Sequence, residues 1–201
     1  MDKEIVENHK IYLERKKLYQ SFGYDIEKER DFILEQAKPL SGKILEAGTG
    51  KGNFALALAK AGYSFVTFDI SAVEQSFAKL NIAHFGFSKQ VDFRIENGEH
   101  TSFSDHSFDN VFSVNVLHHL RNPYQVLNEF IRLLSQNGKL ILADFTEEGF
   151  KIMDKIHALE GNKHETGKIK LIDAQAYLME KSFLVKSTQS VYQQVLIASK
   201  I

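Results

Sequence analysis

The sequence contains no cysteine, which excludes disulfides, thiolate metal sites and cysteine nucleophiles. No stretch of it approaches the ~20 consecutive apolar residues that a membrane-spanning helix requires. The first residues, Met1 to Glu4, do not form the apolar core of a signal peptide. Together these absences predict a soluble, cytoplasmic protein with no membrane partner.

An excess of positive charge is also missing. Lys and Arg together number 25 and Asp and Glu 26, which leaves a formal net charge of −1. Proteins that bind nucleic acids generally carry a basic excess or a basic stripe. The run Arg15-Lys16-Lys17 is locally basic, and such a short run is typical of the solvated face of a helix. We therefore expect no nucleic-acid partner.

Length and patterning predict a single α/β domain. The 201 residues, 43% of them hydrophobic, are enough for one domain with a core of its own. Helical segments alternate with short apolar segments typical of strands, at 43–47, 64–68, 91–95, 110–114, 139–143, 183–188 and 193–199. The alternation predicts a parallel sheet with helices on both faces. The connection between the last two strands is too short for a parallel crossover, so this pair is predicted to be antiparallel.

A glycine-rich loop, Gly48-Thr49-Gly50-Lys51-Gly52, follows the first predicted strand. Glycine tolerates a positive φ and lets a ligand approach the backbone without a Cβ in the way. The helix that follows the loop points its free N–H groups at the same place, which suits an acceptor group of a ligand. The loop therefore predicts a nucleotide-like ligand, although several folds use such a loop.

Two nucleotide classes can be compared with this loop directly. A P-loop ending at Gly50-Lys51 requires glycine at position 45 and a hydroxyl residue at 52, where this chain has Leu45 and Gly52. A dinucleotide fingerprint beginning at Gly48 has Asn53 in place of its third small residue. ATP or GTP binding of the P-loop type is thus excluded, whereas NAD remains possible.

Residues 44–52, ILEAGTGKG, resemble motif I of the class I S-adenosylmethionine (SAM)-dependent methyltransferases, in which an acid precedes G-x-G-x-G. Four later segments resemble parts of the same family in the same order: 68–71, 96–109, 114–120 and 132–140. The resemblance implies a Rossmann-like three-layer sandwich whose seven-stranded, mostly parallel sheet has an antiparallel C-terminal strand. It also implies SAM as the cofactor.

The resemblance assigns cofactor contacts to specific positions. Asp69 ends the second strand, about 20 residues after Gly48, where an acid holds the ribose hydroxyls; as an alternative, it could cap the helix after Ser71. Asn97 stands where the family usually has an aspartate that accepts a hydrogen bond from the adenine amino group, and an amide oxygen can accept the same bond. The complete predicted set is Glu46, Ala47, Gly48, Thr49, Gly50, Asp69, Ile70, Asn97, Gly98, Glu99 and Asn115.

Residues 1–38 are predicted to be helical, with an interruption near 22–24 and an end before Pro39. The segment contains four aromatic residues, Tyr12, Tyr19, Phe22 and Tyr24. We predict that it forms a lid over the cofactor cleft and belongs to the same domain as residues 39–201. Core packing is the alternative role of these aromatic residues.

Three histidines are candidates for a proton-accepting role, because imidazole titrates near neutral pH. His118 follows the fourth strand, while His157 and His164 lie beyond the fifth, where this family builds acceptor pockets. Their spacing with Asp144 matches no metal motif, so we expect no metal. Catalytic residues are otherwise not identified by the sequence.

The sequence thus predicts a SAM-dependent methyltransferase that acts on an unidentified small-molecule acceptor. Two alternatives remain open: an NAD-dependent oxidoreductase on a similar sheet, and a SAM-binding protein without transferase activity. The oligomeric state is not predicted.

Overall fold

The computed structural model describes residues 2–161, 167 and 169–200. Its seven strands are β1 (Ile44–Ala47), β2 (Phe65–Asp69), β3 (Val91–Ile95), β4 (Phe108–Val114), β5 (Leu134–Phe145), β6 (Phe183–Gln189) and β7 (Gln193–Lys200). Its helices are α1 (Lys3–Ser21), α2 (Ile26–Ala37), α3 (Asn53–Lys60), α4 (Ala72–His84), α5 (Pro123–Leu133), α6 (Glu147–Leu159) and α7 (Leu171–Glu180). No helix in these described stretches is both long and apolar enough to cross a lipid bilayer.

All seven strands form one sheet, in the order β3-β2-β1-β4-β5-β7-β6. Strands β1 to β5 pair in parallel, whereas β7 lies antiparallel between β5 and β6. The predicted α/β class, the strand alternation and the antiparallel C-terminal pair are therefore confirmed. Helix α6 was not predicted from the sequence.

Two apolar cores lie on opposite faces of the sheet because successive side chains of a strand point to opposite sides. In β5, Leu140 and Leu142 pack into the core under α5 and α7. Their neighbours Ile141 and Ala143 pack into the core that α2, α3 and α4 cover. The sheet is thus buried on both faces, which leaves its edges and strand ends for ligands.

Helices α1 and α2 pack on the same face of the sheet as α3 and α4, and they do not extend away from the domain. Asn8 of α1 is buried, and its Nδ2 donates to Asn81 Oδ1 of α4 at 2.8 Å. The His9 ring stacks on the His84 ring with centroids 3.5 Å apart. The division of the chain at residue 38 remains a prediction.

The loop between β3 and β4 is held against α5 by Glu129, whose side chain is 5% exposed. Its Oε1 accepts hydrogen bonds from Thr101 N at 2.7 Å and Thr101 Oγ1 at 2.6 Å. Arg132 donates to the same carboxylate at 2.8 and 2.6 Å. Burial acts to raise the pKa of Glu129, but the bonds from Arg132 and Thr101 outweigh it and lower the pKa to about 2.

We predict that Glu129→Gln lowers the free energy of unfolding at pH 7 by about 1–3 kcal/mol, because the amide leaves buried donors imperfectly paired. In the wild type, the stabilisation by this carboxylate is complete above pH 4.5 and is lost as the pH falls toward about 2. The variant should therefore lose less stability over that range. Urea unfolding between pH 2.5 and 7 measures both effects. Glu148→Gln, which alters an exposed ion pair, serves as control and should change stability by less than about 0.5 kcal/mol; equal profiles for all three proteins would contradict the prediction.

Candidate functional site

A pocket of about 860 Å³ opens at the sheet edge where the carboxyl ends of β1, β2 and β4 meet. In an open parallel sheet, ligands bind in such a crevice. The structure brings every predicted cofactor residue to its wall: Glu46, Ala47, Gly48, Thr49, Gly50, Asp69, Ile70, Asn97, Gly98, Glu99 and Asn115. Their contacts with a cofactor remain predictions.

The glycine loop enters the pocket wall as bare backbone. The amides of Gly48 and Thr49 donate to Phe68 O at 2.8 and 3.0 Å, which ties the loop to the end of β2. Gly48 has a φ of +88°, and a Cβ added there would lie 2.3 Å from Val116 Cγ2. Glycine is thus required at this position for two reasons: the backbone has a positive φ, and a side chain here would collide with Val116, which follows β4.

Asp69 joins the glycine loop to the start of the next helix. Its Oδ2 accepts from Gly50 N at 2.7 Å, and its Oδ1 accepts from Ser71 N at 2.8 Å. The side-chain cap of α4 is Ser71, whose hydroxyl accepts from Glu74 N at 3.2 Å. Asp69 is therefore not the capping side chain of α4, and its carboxylate lies at the pocket wall.

Glu46 is a buried acid beneath the glycine loop, with a relative exposure of 1%. Thr67 Oγ1 donates to its Oε2 at 2.6 Å and lies 2.6 Å from Thr49 Oγ1. Gln75 Nε2 donates to Thr49 Oγ1 at 3.3 Å and extends this buried polar chain to α4. Burial raises the pKa of Glu46 to about 8, against the opposing effect of the Thr67 hydrogen bond. A carboxyl group poised near neutral pH is typical of a functional site.

The segment after β3 forms the other end of the pocket. Asn97 Oδ1 accepts from Glu99 N at 3.0 Å, which closes a tight turn. Glu99 Oε1 in turn accepts from Asn122 Nδ2 at 3.0 Å. These bonds hold Asn97, Gly98 and Glu99 at the wall where the sequence predicts the adenine contact.

Arg30 of α2 also lines the pocket, although the sequence analysis did not select it. It is 8% exposed and lies on the same face of α2 as the buried residues Ile26, Ile33 and Leu34. One arginine within an apolar helical stripe is a signal that the sequence carries, because helical positions three and four apart share a face.

The aromatic residues of the predicted lid do not line the pocket. Tyr24, which is 1% exposed, packs with Tyr19 and Phe22 against Met153 of α6. Tyr12 packs at the edge of the core formed by α2, α3 and α4. These contacts correspond to the core-packing role, while movement of the segment as a lid remains a prediction.

The candidate histidines lie in different surroundings. His118 is 3% exposed, and its Nδ1 lies 2.5 Å from Asp144 Oδ1. His157 lies on α6 and is not part of the pocket wall, and His164 lies outside the described residues. The adjacent His119 is exposed and lines the pocket. A catalytic role for any of them remains a prediction.

Comparison with known proteins identifies the domain. Residues 45–142 match the family model described as a methyltransferase domain. This chain carries a class I SAM-dependent methyltransferase domain. The match spans the glycine loop, Asp69, Asn97 and Asn115, which form much of the pocket wall.

Curated relatives of this domain differ in what they methylate or modify. The 27-O-demethylrifamycin SV methyltransferase of Amycolatopsis mediterranei is 27% identical, over 75% of this chain and 57% of its own length. The tRNA U34 carboxymethyltransferase of a Sulfurovum species is 29% identical, over 58% of this chain and 39% of its own length. The chain therefore spans about half the length of these relatives.

A solved structure confirms the fold over nearly the whole chain. The crystal structure of a putative SAM-dependent methyltransferase from Methanococcus maripaludis has a TM-score of 0.73 and 17% identity. The similarity covers 98% of this chain and 93% of that one. It thus includes the N-terminal helices and the antiparallel C-terminal strands.

We predict that Glu46→Gln changes how stability depends on pH between 4.5 and about 8. In the wild type, the folded state keeps a proton on Glu46 that the unfolded state loses, so the free energy of unfolding falls as pH rises through this range. The slope from one such proton is at most about 1.4 kcal/mol per pH unit. Removal of the carboxyl group should flatten the profile.

Urea unfolding at pH 5, 6, 7 and 8 gives both profiles, and their difference isolates Glu46 from other titrating groups. Glu14→Gln, at an exposed position of α1, is the matched control and should follow the wild type. A Glu46→Gln profile parallel to that of the wild type would show that Glu46 is already ionised in the folded protein.

Proposed function

We propose that this protein binds SAM in the pocket at the carboxyl ends of the strands and transfers its methyl group to a small-molecule acceptor. The observation that carries the proposal is the charge of the described pocket wall. Five carboxyl side chains line it, against three cationic ones: Glu46, Asp69, Glu74, Glu96 and Glu99, and Arg30, Lys51 and Arg121. Glu46 is protonated at neutral pH because burial raises its pKa to about 8, and the four other acids still outnumber the cations. SAM has a net positive charge, because its sulfonium and ammonium groups outnumber its carboxylate.

The charge of the pocket wall also disfavours the alternative dinucleotide ligand. The pyrophosphate of NAD would bring two negative charges to a glycine loop to which the Asp69 carboxylate is already bonded. Repulsion between the phosphates and the Asp69 carboxylate would oppose binding in a partly buried pocket. An NAD-dependent oxidoreductase is thus a poorer fit to these residues than a methyltransferase.

The order of residues along the wall supports a specific direction for the adenosine part. Asp69 at the end of β2 presents a carboxylate that can accept hydrogen bonds from ribose hydroxyls, which are charge-assisted and strong. Asn97 after β3 presents an amide to the next part of the pocket. In this arrangement adenine lies near β3 and ribose near β2.

Methyl transfer from SAM requires little chemistry from the protein, since the sulfonium is already a good leaving group. The acceptor atom attacks the methyl carbon in line with the departing sulfur. Holding the two in a near-attack geometry can supply several kcal/mol of the rate acceleration. A general base is needed only where the acceptor must lose a proton, and the pair His118–Asp144 is a candidate for that role.

A small molecule is the acceptor class that the charge favours. The net charge of −1 provides no basic excess that would attract a polyanion. One relative acts on a rifamycin and another on tRNA, so the family alone does not decide the acceptor. The proposal therefore rests on the charge balance of this chain.

The proposal is tested by S-adenosylhomocysteine release from SAM in the presence of a panel of small-molecule phenols, acids and amines, with total tRNA as the competing class. We expect turnover with a member of the small-molecule panel, and Asp69→Ala should weaken SAM binding by roughly 2–4 kcal/mol through the loss of charge-assisted bonds. Ser71→Ala is the matched control. It removes the α4 cap, should reduce stability by about 1 kcal/mol and should leave affinity unchanged.

Three outcomes would contradict parts of the proposal. Release with tRNA alone would assign the acceptor to the other class. SAM binding without release for any acceptor would favour a SAM-binding protein without transferase activity. Equal SAM affinity in the wild type and Asp69→Ala would place the ribose contact elsewhere.

A further inference from the structure

Helix α1 is joined to the glycine loop by two buried asparagine side chains. Asn8 Nδ2 donates to Asn81 Oδ1 of α4 at 2.8 Å, and Asn81 Nδ2 donates to the carbonyl oxygen of Lys51 at 2.9 Å. Both asparagines are buried, and hydrogen bonds in such a chain strengthen one another. The bond from Asn8 therefore orients the Asn81 amide, whose other end holds the loop.

The position of the glycine loop depends on α4, because the two pack directly against each other. Gly52 has a φ of +82°, and a Cβ added there would lie 2.8 Å from the Cβ of Ala78. Lys51, whose carbonyl group Asn81 holds, lines the pocket. A movement of the Asn81 amide would thus change the backbone of the pocket wall.

Next to Asn8, helix α1 contacts α4 through two stacked imidazole rings, His9 and His84, here called the histidine pair. Their centroids are 3.5 Å apart and their planes are 11° from parallel. Phe85 lies edge-on to both rings, at 5.5 and 5.0 Å. The Nδ1 atoms of the pair are buried and have no hydrogen-bond partner among the described residues. Two imidazolium cations at this distance would repel each other.

The charged and titratable groups around the histidine pair do not supply it with a counter-ion. Tyr12 of α1 lies 5.8 Å from the nearer ring, and it stays neutral because burial and the Glu27 carboxylate raise its pKa to about 12. Lys60 of α3 lies 4.9 Å from the centroid of Phe85, and both Lys60 and Lys16 pair with Glu27 of α2. No ion pair among the described residues includes either ring of the histidine pair.

The surroundings of His9 make its contact sensitive to acid. Burial, and then the neighbouring His84, lower the pKa of His9 below its ordinary value of 6.5. The unfolded chain therefore takes up a proton on His9 at a higher pH than the folded protein does. The stabilisation from this contact is complete above about pH 6.5 and is lost as the pH falls below that value.

We propose that the histidine pair is an acid-sensitive contact through which α1 controls the glycine loop. While at least one ring is neutral, α1 stays on α4 and Asn8 orients Asn81 toward the loop. When both rings are protonated, their repulsion separates α1 from α4, the bond from Asn8 is lost, and the loop binds its ligand more weakly. The effect on the cofactor rests on the proposed function, whereas the release of α1 does not.

The release of α1 is tested by amide hydrogen exchange at pH 7.5 and 5.0, corrected for the intrinsic pH dependence of exchange. The variant is His9→Phe, because phenylalanine keeps an aromatic ring in the stack and takes up no proton. Between the two pH values, the protection of the α1 amides should fall at least about 5-fold more in the wild type than in the variant. His106→Asn is the matched control. It removes an exposed histidine whose φ of +55° asparagine tolerates, and it should behave as the wild type.

The effect on the glycine loop is tested by calorimetric titration of S-adenosylhomocysteine at the same two pH values. From pH 7.5 to 5.0, affinity should fall about 5- to 10-fold more in the wild type than in His9→Phe. Asn8→Ala should lose a similar factor already at pH 7.5, because it removes the bond that orients Asn81. Ser76→Ala, at an exposed position of α4, is its control and should leave affinity unchanged.

The possible failures are distinguishable. An equal loss of α1 protection in the wild type and His9→Phe, or no loss in either, would overturn the acid-sensitive contact. Release of α1 with the same change of affinity in both proteins would overturn the effect on the loop. A wild type that binds no S-adenosylhomocysteine at either pH would overturn the proposed function together with that effect, and hydrogen exchange would still decide the release. If His9→Phe does not fold, His84→Phe replaces it with the same expectations.

Discussion

The parallel pairing of β1 with β2 on one side and with β4 on the other is the constraint on which the site depends. The chain leaves β1 through the glycine loop and turns toward β2, whereas β4 is reached from the opposite side of the sheet. The connections therefore diverge at the carboxyl end of β1, and a crevice opens there. Glu46, Asp69 and Asn115 come from three different strand ends and meet only because of this pairing.

The pocket contains two buried ionisable side chains that a stable apolar core would not include. Glu46 lies beneath the glycine loop with hydroxyl groups as its neighbours, and Arg30 lies opposite with neutral partners. Each has unfavourable desolvation in the unliganded protein. Functional sites commonly carry this kind of local conflict with folding.

Much of the fold could be predicted from the sequence because its signals are local. The period of apolar residues indicates strands and helices, and the short connection before β7 excludes a parallel crossover. The glycine loop, Asp69 and Asn97 could be located because each follows a strand directly. Helix α6 was missed although the sequence carries its signals: Thr146 caps it, Glu147 lies in its first turn, and Met153 and Ile156 share its buried face.

Arg30 and His119 could be assigned to the pocket only from the structure. Arg30 is about 70 residues or more from Asn97 and Asn115 along the chain, and its burial results from the packing of α2 on the sheet. His118 and His119 are adjacent in sequence, yet the first is buried against Asp144 and the second faces the pocket. The short helical turn at 117–119 points the two side chains in different directions. The amino-acid composition does not indicate these directions.

The most direct test of the account is thermal unfolding of the wild-type protein with saturating S-adenosylhomocysteine, NAD or ATP. The proposed SAM site predicts that S-adenosylhomocysteine, which keeps the adenosine and amino-acid parts of SAM, stabilises the folded state, by about 2.7 kcal/mol at a hundred times its dissociation constant, and raises the melting temperature. NAD and ATP should leave the melting temperature unchanged. A rise with NAD or ATP, and none with S-adenosylhomocysteine, would contradict the assignment of this pocket to SAM.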